Sequence, residues 1–292
     1  MELWYTEEHS SGTRFSLRAT RHVHQEKTPF QQLDVIETEE YGRIMLLDGL
    51  VMLTEKDEFV YHELITHVPS ACLPDARRVL VIGGGDGGTA RELLRYPQLT
   101  RVDMVEIDEA VVMASRKFFP TLNVKLDDPR LTIHYRDGME FVKEHENQYD
   151  LIIVDSTDPI GPGEHLFTES FYRDCYAALR PQGILVSQAA TSFSAYYLKL
   201  QREQCAFVKA AFDRLFLYLG HIPTYPTGTW SFLCAVKGDI NPAVAFDRRS
   251  TTPFTDQLGY YNAGMHRQAF SLPNFIYREL AGLIDNQLAE SV

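Results

Sequence analysis

Val79 to Glu92 reads VLVIGGGDGGTARE, and the reading of this stretch decides the fold. Val79 to Ile82 is a short apolar run rich in β-branched residues, the pattern of a strand covered on both faces. Five glycines then crowd around Asp86, and Thr89 to Leu94 reads as a helix. A strand, a glycine-rich turn and a helix N-terminus bring backbone close to a nucleoside in an α/β sheet. Acidic Glu106 follows at the end of a second strand over 102–107. It lies at about the 20-residue distance at which such sheets place a carboxylate on ribose hydroxyls. Asp86 is the odd element. A carboxylate repels phosphate, so a loop built for pyrophosphate avoids one there, which argues against a nicotinamide dehydrogenase. The group bound near this turn is expected to be cationic.

Strand and helix alternate from there onward. Strands are expected at 78–82, 101–107, 131–135, 150–154 and 183–187. Helices are expected at 89–95, 109–118, 139–146, 168–178 and 195–211. Such alternation implies a parallel sheet covered by helices. Two further strands, near 216–220 and 231–237, follow without a full helix between them, which predicts a reversed strand at the sheet edge. Upstream, residues 3–54 lack helical periodicity. Short strands at 14–21, 31–37 and 43–47, with turns at Tyr41-Gly42 and Asp48-Gly49, predict a small antiparallel sheet. A helix begins near Asp57 or Glu58 and is expected to end before Pro69. The expected class is α/β: an N-terminal antiparallel β domain over 1–56, then a Rossmann-like domain over 57–292 with a mostly parallel sheet.

The 292 residues, 45% of them hydrophobic, suffice for one large core and a small one. The net charge of -12 disfavours nucleic acid, whose affinity comes mostly from Lys and Arg on phosphate. It suits cationic small molecules. Cys72, Cys175, Cys205 and Cys234 are scattered without metal-ligand spacing. The start, MELWYTEEHS, has no signal-peptide pattern, and no apolar run approaches the roughly 20 residues of a membrane span. A cytoplasmic protein is expected.

Ligands of open α/β sheets bind beyond the carboxyl ends of the strands. Four successive strand ends here carry acids: Asp86, then Glu106 and Asp108, then Asp137 beside Gly138, then Asp155 and Asp158. Helix capping accounts for any one of them, because Asp is favoured at N-caps. It does not account for the whole row. The densest stretch, DSTDPIGPG over 155–163, sets two carboxylates three residues apart on a loop stiffened by prolines. Such a pair can hold an ammonium and accept a proton from it.

These motifs together carry a family resemblance. GGGDGG at 83–88, VEID at 105–108, DSTDPIGP at 155–162 and IPTYPTG at 222–228 resemble the polyamine aminopropyltransferases. LLDG at 46–49, EKDEFVYHE at 55–63 and YYNAGMHRQAFSLP at 260–273 extend the resemblance over nearly the whole chain. It implies a methyltransferase-like sheet behind a small β-domain, and a homodimer or homotetramer built partly through that domain. It implies transfer of a 3-aminopropyl group from decarboxylated S-adenosylmethionine, a co-substrate, to an amine, with neither cofactor nor metal. The usual acceptor is putrescine, and the products are spermidine and methylthioadenosine. The resemblance further implies that Gln31, Glu106, Asp137 and Gly138 contact the nucleoside, with Pro162 beside the adenine. Asp86 takes the aminopropyl ammonium. Asp155 is the base. Tyr61, His62, Asp158 and Tyr225 hold the acceptor, with Ser156 and Thr157 completing the loop. Some members carry Gln where this chain has His62.

The residue types suit that chemistry. The electrophile is a sulfonium, so its leaving group departs neutral. The nucleophile is the obstacle: a primary ammonium with a pKa near 10.4 is about one part in a thousand free amine at neutral pH, a cost of roughly 4 kcal/mol. The nitrogen turns acidic as the C–N bond forms, and a positioned carboxylate can then take its proton. Asp86 would also reject the carboxylate of ordinary S-adenosylmethionine, since like charges about 4 Å apart at an effective dielectric near 20 repel by roughly 4 kcal/mol. Other readings stay open on the sequence: spermidine, cadaverine or agmatine as acceptor, an S-adenosylmethionine methyltransferase, or a silent nucleoside- or polyamine-binding protein.

Overall fold

A computed structural model describes residues 2–157 and 166–287. Among these residues the chain forms two sheets. The N-terminal one is an antiparallel meander of β1 (Leu3–Ser10), β2 (Thr13–Lys27), β3 (Gln32–Thr38), β4 (Gly42–Leu47) and β5 (Leu50–Thr54). Sequence reading locates β2, β3 and β4 but passes over β1 and β5. β1 is an edge strand whose residues are mostly exposed and whose apolar residues, Leu3, Trp4 and Tyr5, stand in a row, so it shows little apolar alternation. β5 is five residues long. It is joined to β4 by Asp48 and Gly49, both at positive φ (50° and 80°), as a two-residue hairpin of matching twist requires.

Helix α1 (Glu58–Cys72) links the sheets and runs through Pro69 instead of stopping before it. A proline inside a helix costs about 3 kcal/mol. Here it falls in the last turn, while Val68 and Ala71 on either side are fully buried. Burying such side chains outweighs one lost backbone bond.

The second sheet comprises β6 (Arg78–Gly83), β7 (Arg101–Glu106), β8 (Leu131–Tyr135), β9 (Tyr149–Asp155), β10 (Leu179–Gln188), β11 (Arg214–His221) and β12 (Thr229–Val236). Its order is β11-β12-β10-β9-β6-β7-β8. β12 runs antiparallel to both neighbours, so the reversed strand sits one place in from the edge, inside β11. All the other pairings are parallel. Strand β6 is apolar from Val79 to Ile82 because both faces are covered. Val79 and Val81 enter the core that contains α1 and helix α2 (Gly88–Leu93). Leu80 and Ile82 point the other way, among Phe141 of α4 (Gly138–Lys143) and Phe171 of α5 (Glu169–Ala178).

The chain steps outward from β6 to β7 and β8, then returns to place β9 on the other side of β6. The crevice beyond β6 and β9 is therefore a topological switch point, where open sheets bind ligands. The N-terminal sheet walls this crevice. Leu33, Val35, Met45, Leu47 and Leu53 pack on Val111, Ala114 and Phe118 of α3 (Glu109–Phe118). Among the described residues no helix is long and apolar enough to cross a membrane. All four cysteines are buried and free.

Candidate active site

One cleft opens at the switch point, and every site residue expected from the sequence that the structure describes lines it. Asp158 and Pro162 lie outside the described residues. The glycine-rich turn forms the floor. Gly83 adopts φ 83°, which lets the Gly84 N–H reach the Asp155 carbonyl at 2.8 Å. This bond ties the loop after β6 to the end of β9. Asp86 then turns inward. Its carboxylate accepts the Gly88 N–H at 2.6 Å, at the start of α2, and its carbonyl accepts the Ser115 hydroxyl.

Asp155 faces Asp86 across the cleft. One of its oxygens accepts the Tyr61 hydroxyl at 2.8 Å, the other the Thr89 hydroxyl at 2.6 Å. Burial raises its proton affinity, and the Asp86 charge raises it further, despite the opposing hydrogen bonds and His62. Asp86 moves the other way. Burial opposes its charge, but His62 nearby and the Gly88 N–H outweigh that and hold it below the usual carboxylate range. Two largely buried acids in one cleft are thus pushed apart in proton affinity, an arrangement in which one can take a proton while the other stays ionised.

His62 sits between two acids. Nδ1 lies 2.6 Å from Glu58 and Nε2 3.2 Å from Asp86. Burial disfavours its charge, but Asp86 and Glu58 prevail and hold it up to about 10. His62, Asp86 and Asp155 bring three donor atoms within 4.8 Å of one another, a set that could surround a cation. Both ring nitrogens already meet carboxylates, so the ring has no lone pair to offer a metal. An ammonium, which needs acceptors around it, suits the two carboxylates better.

The opposite end of the cleft suits a nucleoside. The Glu106 carboxylate accepts the Gly85 N–H at 3.1 Å and the Asp108 N–H at 2.9 Å. Burial and the neighbouring Asp108 push its carboxyl up to about 7. A Cβ on Gly85 would meet the Glu106 carboxylate at 2.7 Å, so only glycine lets turn and acid pack together. Asp108 plays the capping role open to it. One oxygen accepts the Ala110 N–H at the start of α3, and the other accepts Thr28 (2.8 Å) and Gln31 (3.0 Å) from the N-terminal sheet. Asp137 also caps, accepting the Met139 N–H at 2.7 Å, while its side chain stays on the cleft wall. Gly138 packs its bare α-carbon on Ile82. Ile82, Val105, Val111, Met139 and Leu166 supply an apolar surface for a base.

Ser156, Thr157, Tyr61 and Tyr225 form the remaining wall. The Tyr61 and Tyr225 rings lie 5.9 Å apart, and Tyr225 donates to the Met52 carbonyl at 2.6 Å. Asp57 secures the segment before Tyr225, accepting the Thr224 N–H and hydroxyl at 3.1 and 2.7 Å. Gln188 donates to the Thr157 carbonyl at 3.3 Å.

Sequence reading misses Thr89, Glu58, Arg91 and Asp57. Glu58 and His62 stand at helical i, i+4 spacing, a signal that could have paired them. Nothing local announces Thr89 on Asp155 or Arg91 on Glu58, because those contacts join elements far apart in the chain.

Comparison with known proteins agrees with this geometry. Residues 58–247 match the spermine/spermidine synthase domain, and residues 3–55 the spermidine synthase tetramerisation domain. The polyamine aminopropyltransferase of Clostridium beijerinckii is 48% identical over 285 residues, covering 98% of this chain and 100% of that protein. That of Clostridioides difficile is 47% identical over 277 residues, covering 94% and 98%. Among solved structures, spermidine synthase in complex with the transition state analogue AdoDATO superposes with a TM-score of 0.91 at 38% identity, over 95% of this chain and 94% of that one. The Thermotoga maritima spermidine synthase gives 0.90 at 38% identity, with the same coverage. This chain belongs to the spermine/spermidine synthase family and is an aminopropyltransferase of polyamine biosynthesis.

Proposed function

We propose that the chain transfers the aminopropyl group of decarboxylated S-adenosylmethionine to putrescine, releasing methylthioadenosine and spermidine. The observation that carries this reading is the pair of buried acids at the switch point, Asp86 held ionised and Asp155 held more basic. They stand at one end of a cleft whose other end offers Glu106 and an apolar wall. In this reading Gln31, Glu106, Asp137 and Gly138 take the nucleoside, with Pro162 beside the base. Asp86 takes the ammonium of the aminopropyl arm. Asp155, Asp158, Tyr61, His62, Ser156, Thr157 and Tyr225 surround the acceptor. Residues 1–56 and 57–292 act as two domains, and the assembly is a homodimer or homotetramer.

The acceptor nitrogen attacks the propyl carbon bound to the sulfonium. The C–N bond forms as the C–S bond breaks, and the sulfur keeps the electron pair and leaves as a neutral thioether. The new ammonium loses a proton to Asp155. Tyr61 and Thr89 each donate to one Asp155 oxygen, so the carboxylate is fixed in orientation while retaining lone pairs for that proton. Fixed alignment of nitrogen, carbon and sulfur supplies much of the acceleration, since effective molarities of well-oriented groups reach about 10⁵ M or more. The remainder comes from drawing the proton away as the nitrogen turns acidic.

The test is turnover of purified protein with decarboxylated donor and an equimolar mixture of putrescine, cadaverine, agmatine and spermidine, read by mass spectrometry. Spermidine as the main early product supports the reading. A different dominant product reassigns the acceptor. Transfer of a methyl group from ordinary S-adenosylmethionine, with no aminopropyl product, refutes the reading.

A further inference from the structure

His62 is held by a chain of charges that runs away from the cleft. Its Nδ1 lies 2.6 Å from Glu58, one turn back on the same helix. Both Glu58 oxygens are taken in parallel by Arg91 of α2, with Nη1 and Nη2 each at 2.9 Å. Arg91 is itself fixed, donating from Nε to Glu92 at 2.7 Å and from Nη1 to the Thr121 carbonyl at 3.3 Å. Glu92 also takes Arg95 at 2.6 Å and His67 at 3.1 Å. Glu58 and Arg91 are largely buried, and neither lines the cleft.

The charge state of His62 follows from its partners. A neutral imidazole has one donating and one accepting nitrogen. With a carboxylate at each nitrogen, the neutral ring would turn a lone pair toward a carboxylate oxygen. The geometry is satisfied only if both nitrogens donate. The ring packs against the bare α-carbon of Gly88, where any side chain would collide with it. The other groups that act on it are Tyr61 of its own helix, edge-on at 5.4 Å, and Asp155 across the cleft.

We propose that Glu58, clamped by Arg91, is a positioning residue for the reaction: it keeps His62 donating from both nitrogens, and so holds Asp86 ionised and aimed at the aminopropyl arm. This rests on the reaction proposed above. Arg91 organises Glu58, Glu58 organises His62, and His62 organises Asp86, which touches the substrate. Removing the Glu58 charge frees one ring nitrogen to lose its proton. Nε2 still donates to Asp86, but without the ring's charge Asp86 and Asp155 compete for one proton, so the donor's ammonium no longer meets a carboxylate held ionised.

The experiment compares Glu58→Gln with wild type in three measurements. The first is calorimetric affinity for the decarboxylated donor and for methylthioadenosine, which lacks the aminopropyl arm. The variant is expected to bind the donor about tenfold more weakly and turn over up to about 100-fold more slowly, with methylthioadenosine affinity unchanged. Equal weakening of both ligands would overturn the proposal, as expected of general structural damage. The second is the same substitution in a His62→Gln background, where Glu58→Gln should add no further loss. An undiminished further loss would show that Glu58 acts by another route. The third is ¹⁵N NMR of His62, assigned with His62→Gln. Its titration should fall below that of wild type in the variant, as expected when one of two close opposite charges is removed. An unmoved titration overturns the proposal. Should Glu58→Gln fail to fold, Arg91→Lys serves, keeping one charge but losing the paired donation, with the same expected direction. The NMR measurement needs no substrate, so it judges the charge chain even if wild type shows no aminopropyl transfer, the outcome that would remove the proposed reaction alone.

Discussion

Replacing Asp86 with Asn should erase most of the protein's preference for a donor without a carboxylate. In the reaction proposed above the donor's arm ends among Asp86, Asp155 and the His62 imidazolium, whose donor atoms lie within 4.8 Å of one another. With both acids ionised their charges sum to minus one, since the His62 cation offsets one carboxylate. An incoming carboxylate about 4.8 Å from one uncompensated charge, at an effective dielectric near 20, is repelled by roughly 3.5 kcal/mol, or about 300-fold in binding. Counting Asp86 alone, as the sequence invites, gives a similar figure, but with the proposed donor the repulsion comes from the trio. In Asp86→Asn, Asp155 and His62 cancel, because Glu58 still holds the ring charged through its other nitrogen. The decarboxylated donor should then bind more weakly, and S-adenosylmethionine as well as before or better. The assay is calorimetry with both donors on wild type and variant, with circular dichroism to show that the variant folds. A ratio of dissociation constants that stays within about threefold of wild type would refute the electrostatic account and leave Asp86 a turn residue.

Three further outcomes follow from the same geometry. Asp155→Asn should lower turnover by about 100-fold or more, as loss of a proton acceptor does, with methylthioadenosine affinity retained; single-turnover kinetics would sink the role if the variant kept a tenth of wild-type activity. Glu106→Gln should weaken methylthioadenosine binding and flatten the stability profile of the ligand-free protein. The folded-state carboxyl is raised to about 7, so its contribution is present below the unfolded value and is lost as pH rises through about 7; the variant should lack that fall in urea titrations, while its amide turns an N–H toward one of the two backbone donors that Glu106 accepts. His266, buried and paired to the Pro242 carbonyl and Tyr261, is depressed to about 4. A group lowered on folding loses its contribution as pH falls, so unfolding free energy should drop between about pH 6.5 and 4, with a smaller drop in His266→Gln; equal slopes would assign acid lability elsewhere.

The sequence is readable where short-range physics dominates. Val79–Ile82 could only be a covered strand, and the row of acids at successive strand ends marked the crevice before any coordinates. What stayed hidden depends on contacts between distant elements. The N-cap and cleft-wall explanations of Asp137 look like rivals in sequence and prove compatible in space. Asp108 reads as a strand-end acid or a helix cap, yet its second oxygen is taken by Thr28 and Gln31, about 80 residues upstream. Pro69 reads as a stop, but the burial that carries α1 past it comes from the sheet below. Thr89 is invisible as a partner of Asp155 because nothing local says how β9 lies beside β6.

The glycines of the turn have a consequence for how such a site can change. Gly85 leaves the volume that Glu106 occupies, and Gly88 leaves the volume that the His62 ring occupies. Each is a negative of one functional group, like the hollow of a mould. A side chain at either glycine would need its opposite number to shrink or move, and a larger group opposite would meet backbone that has no side chain to withdraw. Single substitutions are therefore blocked from both directions, and a new chemistry here needs paired changes on separate strands and helices. Descendants of this chain are expected to change at Gly85 or Gly88 only together with Glu106 or His62.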